Sequence, residues 1–487
     1  MCGFIGLIAP EGRHVITEIY DGLISIQHRG QDAAGAVTYS GRFNVKKGNG
    51  LVRDVFEEKH MKRLQGRLGI GHVRYPTVGD GSADDAQPFL VTSPFGIALA
   101  HNGNLTNFAD LKTELTKRDH RLVDSNCDAE AMLQVFAHSL AQVTMERDLS
   151  DDAVFQAVGD VFERCLGAYS TVMMIANYGL VAFRDPKGIK PIIFGERQEG
   201  FEKSYCVSSE SVVLDLLDYH RTSNLLAGEA VIFKMDGTVA RRQIRHDPHH
   251  PCLFEWVYFA RPDSFLDKVS VYQTRMLLGE RLAEVWRKTG LKADVIIPVP
   301  ESARDAAIAM ARCLGIKYRE GLVKNRYIGR TFIMPDNHKR RASIRHKLNA
   351  IQEEFEGKDV LLVDDSIVRG NTSRQIVRMA RNAGSRKVYF ASYSPPLRNP
   401  CVYGIDMSTR NEFVAKGRSE AEIAREIGAD AVIYQSLPDL EASVRANNPE
   451  LKQFCNACFS GRYPTKEVTP ELLRRIENER ELVHQGH

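Results

Sequence analysis

Two short apolar runs in the second half of the chain restrict its fold more than any other feature. Residues 295–299 and 360–363 are continuously apolar, and each run is followed by a polar loop and then by a helical pattern. Strands that are apolar on both faces are typical of parallel sheets covered by helices on both sides. The second half is therefore predicted to be an α/β domain built on a parallel sheet.

The first half has another pattern, in which short β-rich stretches alternate with helical ones such as residues 128–140. The longest uncharged run, residues 166–183, is divided by a polar turn at Asn177, Tyr178 and Gly179, so we predict a buried β-hairpin rather than a membrane span. This pattern predicts stacked sheets covered by helices. The other β-rich stretches are residues 69–73, 97–101 and 230–234, and the two arms of the hairpin are residues 171–176 and 180–183.

A segment rich in Arg, His, Asp and Pro, residues 241–251, separates the two patterns and is predicted to connect two domains. We place the first domain at residues 2–235 and the second at residues 252–465. Residues 466–487 form a tail, with a helix that begins near Pro470 because proline is favoured in a first helical turn.

The composition excludes several classes of protein. In 487 residues, 65 Lys and Arg against 62 Asp and Glu leave a net charge of +3, too low for a protein whose main partner is nucleic acid. The apolar first ten residues lack the basic region of a secretory signal, and no membrane partner is predicted. We expect a cytoplasmic protein whose nine cysteines are reduced thiols or metal ligands.

Cys2 is the first candidate catalytic residue. It follows Met1 and precedes Gly3, and because a small second residue permits removal of Met1, we expect the mature chain to begin with Cys2. Its thiol would then be a nucleophile and its own α-amine, with a pKa of about 8, the base. The alternative is a small buried residue on the first strand.

Three further segments accompany the start MCG: residues 28–32 (HRGQD), 71–77 (GHVRYPT) and 101–105 (HNGNL). In this order they make the first half resemble class II glutamine amidotransferase domains. The resemblance implies an αββα sandwich of the amino-terminal nucleophile type, which releases ammonia from glutamine.

The resemblance also implies roles for single residues. Attack of a thiolate on the amide produces an oxyanion, for which the Asn102 side chain and the Gly103 N–H are the expected donors. The carboxylate and ammonium of glutamine are expected at Arg74 and Asp128, whose alternatives are a surface salt bridge and a helix N-terminal acid. The other residues expected at the glutamine site are Arg29, which would support the nucleophile loop, and Thr77.

Residues 360–373 (VLLVDDSIVRGNTS) combine an apolar strand, two acids at its carboxyl end, a loop and the start of a helix predicted over residues 374–383. Ligands of open α/β sheets lie beyond the carboxyl ends of strands, and loop amides at a helix N-terminus are suited to phosphate. Asp364 and Asp365 would face ribose hydroxyls and Mg²⁺. A capped helix after a buried strand is the alternative.

This segment closely resembles the signature of type I phosphoribosyltransferases, which bind 5-phosphoribosyl-1-pyrophosphate (PRPP). The loop at residues 298–304 follows the other apolar strand and is the natural place for pyrophosphate. Residues 324–335 are a basic loop with a glycine and apolar residues, which suits a lid that excludes water, and an amphipathic surface loop is the alternative. The residues expected to bind PRPP are Asp364, Asp365, Ser366, Ile367, Val368, Arg369, Gly370, Asn371, Thr372, Ser373, Lys324 and Arg330. Those expected at Mg²⁺ are Ser302, Asp364 and Asp365.

From Cys2 to about residue 463 the chain is similar to the glutamine phosphoribosylpyrophosphate amidotransferase family. The resemblance implies transfer of the glutamine amide nitrogen to PRPP, which gives 5-phosphoribosylamine, glutamate and pyrophosphate in the first committed step of purine (IMP) synthesis. It also implies a homo-oligomer, usually a tetramer, and feedback inhibition by purine nucleotides. Neutral ammonia must stay out of bulk water, so we expect an apolar passage lined by Tyr258 and Ile333.

Four cysteines form a further candidate site. Cys455 and Cys458 form a C-x-x-C pair, and Cys252 and Cys401 each follow a proline. One branch of the family holds a [4Fe–4S] cluster on cysteines at matching places, which implies such a cluster here, with a Cys₄ zinc site as the alternative.

Two rival functions are considered. A glutamine-dependent enzyme that aminates an intact sugar phosphate shares the first domain, but residues 360–373 argue against it. A PRPP-sensing regulatory protein without catalysis is disfavoured by the intact Cys2, Asn102 and Asp364.

Overall fold

A computed structural model describes residues 1–75, 83–145, 148–325, 348–405, 407 and 409–485, with side chains described as far as residue 478. Its strands are β1 (Gly3–Ile8), β2 (Ala33–Tyr39), β3 (Phe43–Asn49), β4 (Leu68–Arg74), β5 (Phe89–Val91), β6 (Ile97–Leu105), β7 (Gly167–Ile175), β8 (Gly179–Arg184), β9 (Ile193–Glu199), β10 (Glu202–Ser208), β11 (His220–Asn224), β12 (Glu229–Lys234), β13 (Val239–Gln243), β14 (Phe265–Leu266), β15 (Val269–Ser270), β16 (Val295–Pro298), β17 (Lys317–Tyr318), β18 (Leu322–Lys324), β19 (Leu348–Ala350), β20 (Asp359–Asp364), β21 (Lys387–Ser392) and β22 (Ala431–Tyr434).

The described α-helices are α1 (Ile16–Ser25), α2 (Val52–Val55), α3 (Glu58–Arg63), α4 (Phe108–Lys117), α5 (Asp128–Val143), α6 (Asp151–Arg164), α7 (Val212–Leu216), α8 (Val271–Thr289), α9 (Arg304–Leu314), α10 (Gln352–Phe355), α11 (Asn371–Asn382), α12 (Glu420–Ile427), α13 (Leu437–Arg445), α14 (Ala457–Ser460) and α15 (Pro470–Gln485). A π-helical turn, Glu255–Phe259, follows the connection between the two halves.

The first half consists of two antiparallel sheets with helices on their outer faces. The strand orders are β11-β9-β10-β1-β4-β2-β3 and β13-β12-β8-β7-β6-β5. Phe4 of the first sheet and Val172 of the second lie in one apolar layer between them, whereas α1 covers the first sheet and α5 and α6 cover the second. The predicted αββα sandwich is confirmed.

The hairpin predicted in the long uncharged run is also confirmed. Strands β7 and β8 pair antiparallel, with Ile175 opposite Gly179. Alternate residues of β7 enter opposite layers: Val172 faces the other sheet, and Met173 faces α5 and α6. The run lacks charge because both of its faces are buried.

The second half contains a five-stranded parallel sheet in the order β17-β16-β20-β21-β22. Along β20, Leu361 belongs to one apolar core and Leu362 to the other, so both faces of the sheet are covered as predicted. The helix predicted over residues 374–383 is partly wrong, because α11 already begins at Asn371. Gly370, with φ of +75°, turns the chain into the helix three residues earlier than expected.

The two halves share one apolar core. Met1, Ala168 and Ile189 of the first half pack in the same cluster as Trp256 and Tyr393 of the second. The tail continues this contact, since α15 bears Arg475, whose guanidinium forms an ion pair with Asp110 of α4. No helix in the described part of the chain is long and apolar enough to cross a membrane.

Candidate functional site

Cys2 lies at the start of β1, where only 8% of the residue is exposed. Strand β4 runs antiparallel beside it, with Val73 opposite Gly3, and the Cys2 Sγ lies 3.6 Å from the carbonyl oxygen of Tyr75. Burial lowers the pKa of the α-amine of Met1 to about 5. An amino terminus in these surroundings is therefore neutral at pH 7 and able to accept a proton.

Arg29 fixes the backbone of Cys2. Its Nε donates a hydrogen bond of 2.9 Å to the carbonyl of Cys2, and its two terminal nitrogens bind the carboxylates of Glu210 and Glu255. Burial opposes ionisation of Glu210, but the charges of His28 and Arg29 outweigh it and lower the pKa of that carboxyl. The sequence analysis expected Arg29 to support the loop at Cys2, and its hydrogen bond to the Cys2 carbonyl is suited to that role.

Strand β6 carries the two proposed oxyanion donors. Asn102 is fully buried, and neither Nδ2 nor Oδ1 of its side chain has a hydrogen-bond partner among the described residues. A buried amide without partners is costly, and such a group is typical of a site that awaits a polar ligand. A side chain at Gly103 is excluded, because its β-carbon would lie 2.1 Å from the carbonyl oxygen of Ala168.

Asp128, the first residue of α5, braces the same strand. Its Oδ1 accepts a hydrogen bond of 2.9 Å from Nε2 of His101, and its Oδ2 accepts one of 2.8 Å from the backbone N–H of Leu105. Burial opposes ionisation, but His101 and these hydrogen bonds lower the pKa of the carboxyl. Asp128 therefore remains a carboxylate and holds the strand on both sides of Asn102.

The other expected glutamine-site residues lie near this strand or outside the described residues. Nη2 of Arg74 lies 3.2 Å from the Asp85 carboxylate, and Arg74 is only 4% exposed. The salt bridge of the alternative interpretation is therefore present, but it is buried rather than at the surface. Thr77 lies outside the described residues.

The acid pair lies where β20 ends. The Ser302 hydroxyl donates a hydrogen bond to Asp365, the Ser366 hydroxyl donates another at 2.5 Å, and the Asp365 N–H donates to Asp364 at 2.9 Å. Burial raises the pKa of both carboxyls, and Asp365 raises that of Asp364 further. Two buried acids in contact favour a bound cation, which would stabilise their ionised forms.

The loop after the acid pair leads into α11. Ile367 is buried, so this residue offers the loop backbone rather than its side chain, and Arg369 forms an ion pair of 3.1 Å with Glu412. Asn371, Thr372 and Ser373 form the first turn of α11, where backbone N–H groups point out of the helix. Two more candidates lie in the loop: Val368 is partly buried, and Gly370 ends the loop. Lys324 is exposed at the end of β18. Arg330, like Ile333, lies outside the described residues.

The four candidate cysteines lie in one buried core although 206 positions separate the first from the last. Cys252 and Cys455 form a parallel β-bridge. Burial and the neighbouring thiols raise the pKa values of Cys455 and Cys458 well above normal. In the described part of the chain, no group of three or more His, Cys, Asp or Glu side chains is arranged to hold a metal as it stands.

Sequence reasoning missed Glu255, Glu210 and Tyr393. Glu255 is the only acid in the apolar stretch 253–259 (LFEWVYF), so an expectation of a buried charge could have been drawn there. Glu210 and Tyr393 stand in no comparable local pattern.

Comparisons with known proteins identify the family of the chain. Residues 72–215 match the family model described as a glutamine amidotransferase domain. The chain is 50% identical to an amidophosphoribosyltransferase of Escherichia coli, with 97% of this chain and 94% of the relative covered, and 49% identical to one of Pseudomonas aeruginosa, with 99% and 96% covered. The solved glutamine PRPP amidotransferase from B. subtilis, complexed with ADP and GMP, is 36% identical, with a TM-score of 0.84 over 96% of this chain and 98% of that one.

Proposed function

The chain belongs to the amidophosphoribosyltransferase family, and from this premise we propose how its residues divide the reaction. Enzymes of this family transfer the amide nitrogen of glutamine to PRPP, which gives 5-phosphoribosylamine in the first committed step of purine biosynthesis, and this chain is such a transferase. We assign release of ammonia to residues 2–235, its transfer to residues 252–465, and the tail to residues 466–487.

Cys2, once Met1 is removed, is the nucleophile of the first half-reaction. Its α-amine takes the thiol proton, the sulfur attacks the amide carbon, and the oxyanion accepts hydrogen bonds from the Asn102 side chain and the Gly103 N–H. The proton then goes to the leaving nitrogen, ammonia departs, and water hydrolyses the thioester to glutamate. The fully buried side-chain amide of Asn102, which has no hydrogen-bond partner within the described part of the chain, supports this assignment most directly.

We assign recognition of glutamine to the buried charges around β6. Arg74 is a fixed cation for the α-carboxylate, and Asp128, which stays ionised, is the anion for the α-ammonium. Thr77 is assigned to the same site by resemblance. Arg29 acts through the Cys2 carbonyl.

The second half-reaction belongs to the carboxyl end of β20. We place the ribose hydroxyls at Asp364 and Asp365 and the 5-phosphate at residues 366–373, where loop and helix N–H groups converge. Pyrophosphate is assigned to the Ser302 loop, Lys324 and Arg330. Ammonia attacks C1 of the ribose with its lone pair as the bond from C1 to the pyrophosphate oxygen breaks.

Asp364, Asp365 and Ser302 would hold Mg²⁺. The residue types fit a hard divalent cation, because two adjacent buried carboxyls with raised pKa values, one of them hydrogen-bonded to the Ser302 hydroxyl, offer the oxygen ligands that Mg²⁺ prefers. Mg²⁺ bound there supplies positive charge to the departing pyrophosphate.

We also propose that Cys252, Cys401, Cys455 and Cys458 hold a [4Fe–4S] cluster, with zinc as the alternative. Four buried thiols in one core are a suitable donor set, although their side chains must rotate toward a common centre. A cluster there would tie the start of the second half to residues 401–458.

Three further properties are proposed from the family alone. They are assembly into a homo-oligomer, usually a tetramer, inhibition by purine nucleotides, and a cytoplasmic location.

Release of pyrophosphate from PRPP in the presence of glutamine tests the proposed function. The transferase releases pyrophosphate with glutamine and also with ammonium, and each release requires PRPP. An aminating enzyme for an intact sugar phosphate would show no dependence on PRPP, and a PRPP sensor would bind PRPP without releasing pyrophosphate.

A further inference from the structure

The π-helical turn Glu255–Phe259 is bonded to both candidate sites at once. On one side, Nη2 of Arg29 donates to the two carboxylate oxygens of Glu255 at 2.8 and 3.1 Å. On the other side, the Tyr393 hydroxyl lies 2.7 Å from the carbonyl oxygen of Val257, to which it donates a hydrogen bond. The turn is thus held between a residue of the nucleophile loop and a residue that follows β21.

Both connections continue to the reacting groups. Arg29 donates to the carbonyl of Cys2 at 2.9 Å. The Tyr393 hydroxyl also lies 3.2 Å from the carbonyl oxygen of Ser302, and the Ser302 side chain donates to Asp365. A series of hydrogen bonds, joined by the backbone of the turn between Glu255 and Val257 and by Ser302 itself, therefore runs from Cys2 to Asp365.

A buried cation keeps the turn rigid within this series. Arg275 of α8 donates from Nε to the carbonyl of Trp256 at 3.0 Å and from Nη2 to that of Ala260 at 2.8 Å. Because Arg275 is only 2% exposed, water cannot replace these hydrogen bonds easily. One side chain thus holds a carbonyl within the turn and one directly after it, so we expect a displacement at one end of the turn to move the other end.

The members of the series are buried as well. Arg29 and Glu255 are each 1% exposed, and Tyr393 is not exposed at all. A partner lost from such a network leaves an uncompensated polar group, so its members tend to keep their contacts and shift together.

We propose that Glu255 and Tyr393 are positioning residues that make the placement of Cys2 depend on the Ser302 loop. When the acid-pair site is occupied, the position of Ser302 is fixed, and the Tyr393 hydroxyl then fixes the position of the turn. Glu255 in turn fixes Arg29, which holds the carbonyl of Cys2. The inference rests on the proposed roles of Cys2 and Ser302. It adds two residues that themselves touch neither substrate.

The Tyr393→Phe variant tests this proposal, because it removes one hydroxyl and keeps the buried ring. The matched control is Tyr389→Phe, which removes the hydroxyl of another buried tyrosine nearby on β21 that packs on Trp286. Glutamine hydrolysis is measured with and without PRPP, and ammonium-dependent turnover is measured in the same samples. Thermal unfolding shows whether each variant is folded.

We expect PRPP to stimulate glutamine hydrolysis in the parent and in Tyr389→Phe, and this stimulation to fall about tenfold in Tyr393→Phe, the effect of one lost buried hydrogen bond. The ratio of glutamine-dependent to ammonium-dependent turnover falls with it. We expect the same effect for Glu255→Gln. Because both residues act in one series, PRPP should stimulate the double variant as much as it stimulates the more impaired single variant.

Unchanged stimulation in Tyr393→Phe would overturn the proposal, as would losses that multiply in the double variant or a parent that PRPP does not stimulate. If Glu255→Gln does not fold, the comparison of Tyr393→Phe with Tyr389→Phe still decides. A failure of the proposed function gives a different result, because the Cys2→Ala variant would then still hydrolyse glutamine as fast as the parent.

Discussion

Gly404 packs against the backbone of Gly103, so closely that a β-carbon on Gly404 would lie 2.6 Å from the Gly103 carbonyl oxygen. Beside this contact, Nδ2 of Asn104 donates a hydrogen bond of 3.0 Å to the carbonyl of Val402. The segment that follows Cys401 therefore closes over the strand to which we assign the oxyanion donors. The second half of the chain forms part of the wall of the first site.

A Gly404→Ala substitution is expected to damage glutamine use selectively. The added methyl group must displace Gly103, and φ of +94° at position 404 is strained for alanine. We expect glutamine-dependent turnover to fall about 100-fold, comparable to the loss of one oxyanion donor, while ammonium-dependent turnover is largely retained. Gly417→Ala is the control for strain, since φ there is +64° but no atom lies within 4 Å of the added carbon. Equal losses with both nitrogen sources would contradict this prediction.

An Asp365→Asn substitution is expected to lower turnover with both nitrogen sources. The amide keeps the size of the side chain but removes the charge that we assign to ribose and Mg²⁺, so a loss of about 100-fold or more is expected in each assay. Asp359→Asn, at the partly buried start of the same strand, where the carboxylate pairs with Arg386, serves as the matched control. Normal ammonium-dependent turnover in Asp365→Asn would refute the assigned role.

The pH dependence of glutamine hydrolysis reports on the proposed base. An α-amine normally titrates near pH 8, and burial lowers the pKa of the Met1 α-amine, one residue before the proposed base, to about 5, so we expect burial to lower the pKa of the Cys2 α-amine as well. A lowered amine pKa means that the neutral, proton-accepting form is present above that pKa and lost below it. We expect kcat/KM for glutamine to rise along an acid limb whose midpoint lies between about 5 and 8, measured over pH 4.5–9. A midpoint above 8 would show that no buried amine acts as the base.

Metal analysis of anaerobically purified protein tests the assignment of the four buried cysteines. We expect a brown protein with about four iron and four acid-labile sulfide per chain, and Cys252→Ser to abolish both. Cys313→Ser, which alters a half-buried thiol elsewhere, should leave the iron content unchanged. Colourless protein without iron would remove the cluster, and one zinc per chain would favour the alternative site.

Local sequence patterns predicted the parts of the fold that depend on local physics. The uncharged run around Asn177 forms the two buried strands of a hairpin, and the apolar run before Asp364 forms one buried strand, because continuous apolar character is required wherever both faces of a strand are covered. The start of α11 was misplaced because the pattern does not reveal that Gly370 adopts a left-handed conformation.

Contacts between distant positions could not be predicted in the same way. Arg29 and Glu255 are 226 positions apart, and their pairing depends on how the halves meet rather than on either segment alone. Gly404 likewise shows its constraint only when Gly103 is placed against it. Many residues of the two candidate sites were therefore predicted from the sequence, whereas the contacts that connect the two sites were not.

The separation of the two half-reactions is the central claim, and the nitrogen source used by Cys2→Ala tests it most directly. Pyrophosphate release is measured with saturating PRPP and either glutamine or ammonium, beside Cys165→Ala, which alters a buried cysteine on the far side of the second sheet. We predict that Cys2→Ala loses all glutamine-dependent release and retains ammonium-dependent release. Retained turnover with glutamine, or loss of turnover with both nitrogen sources, would contradict the account.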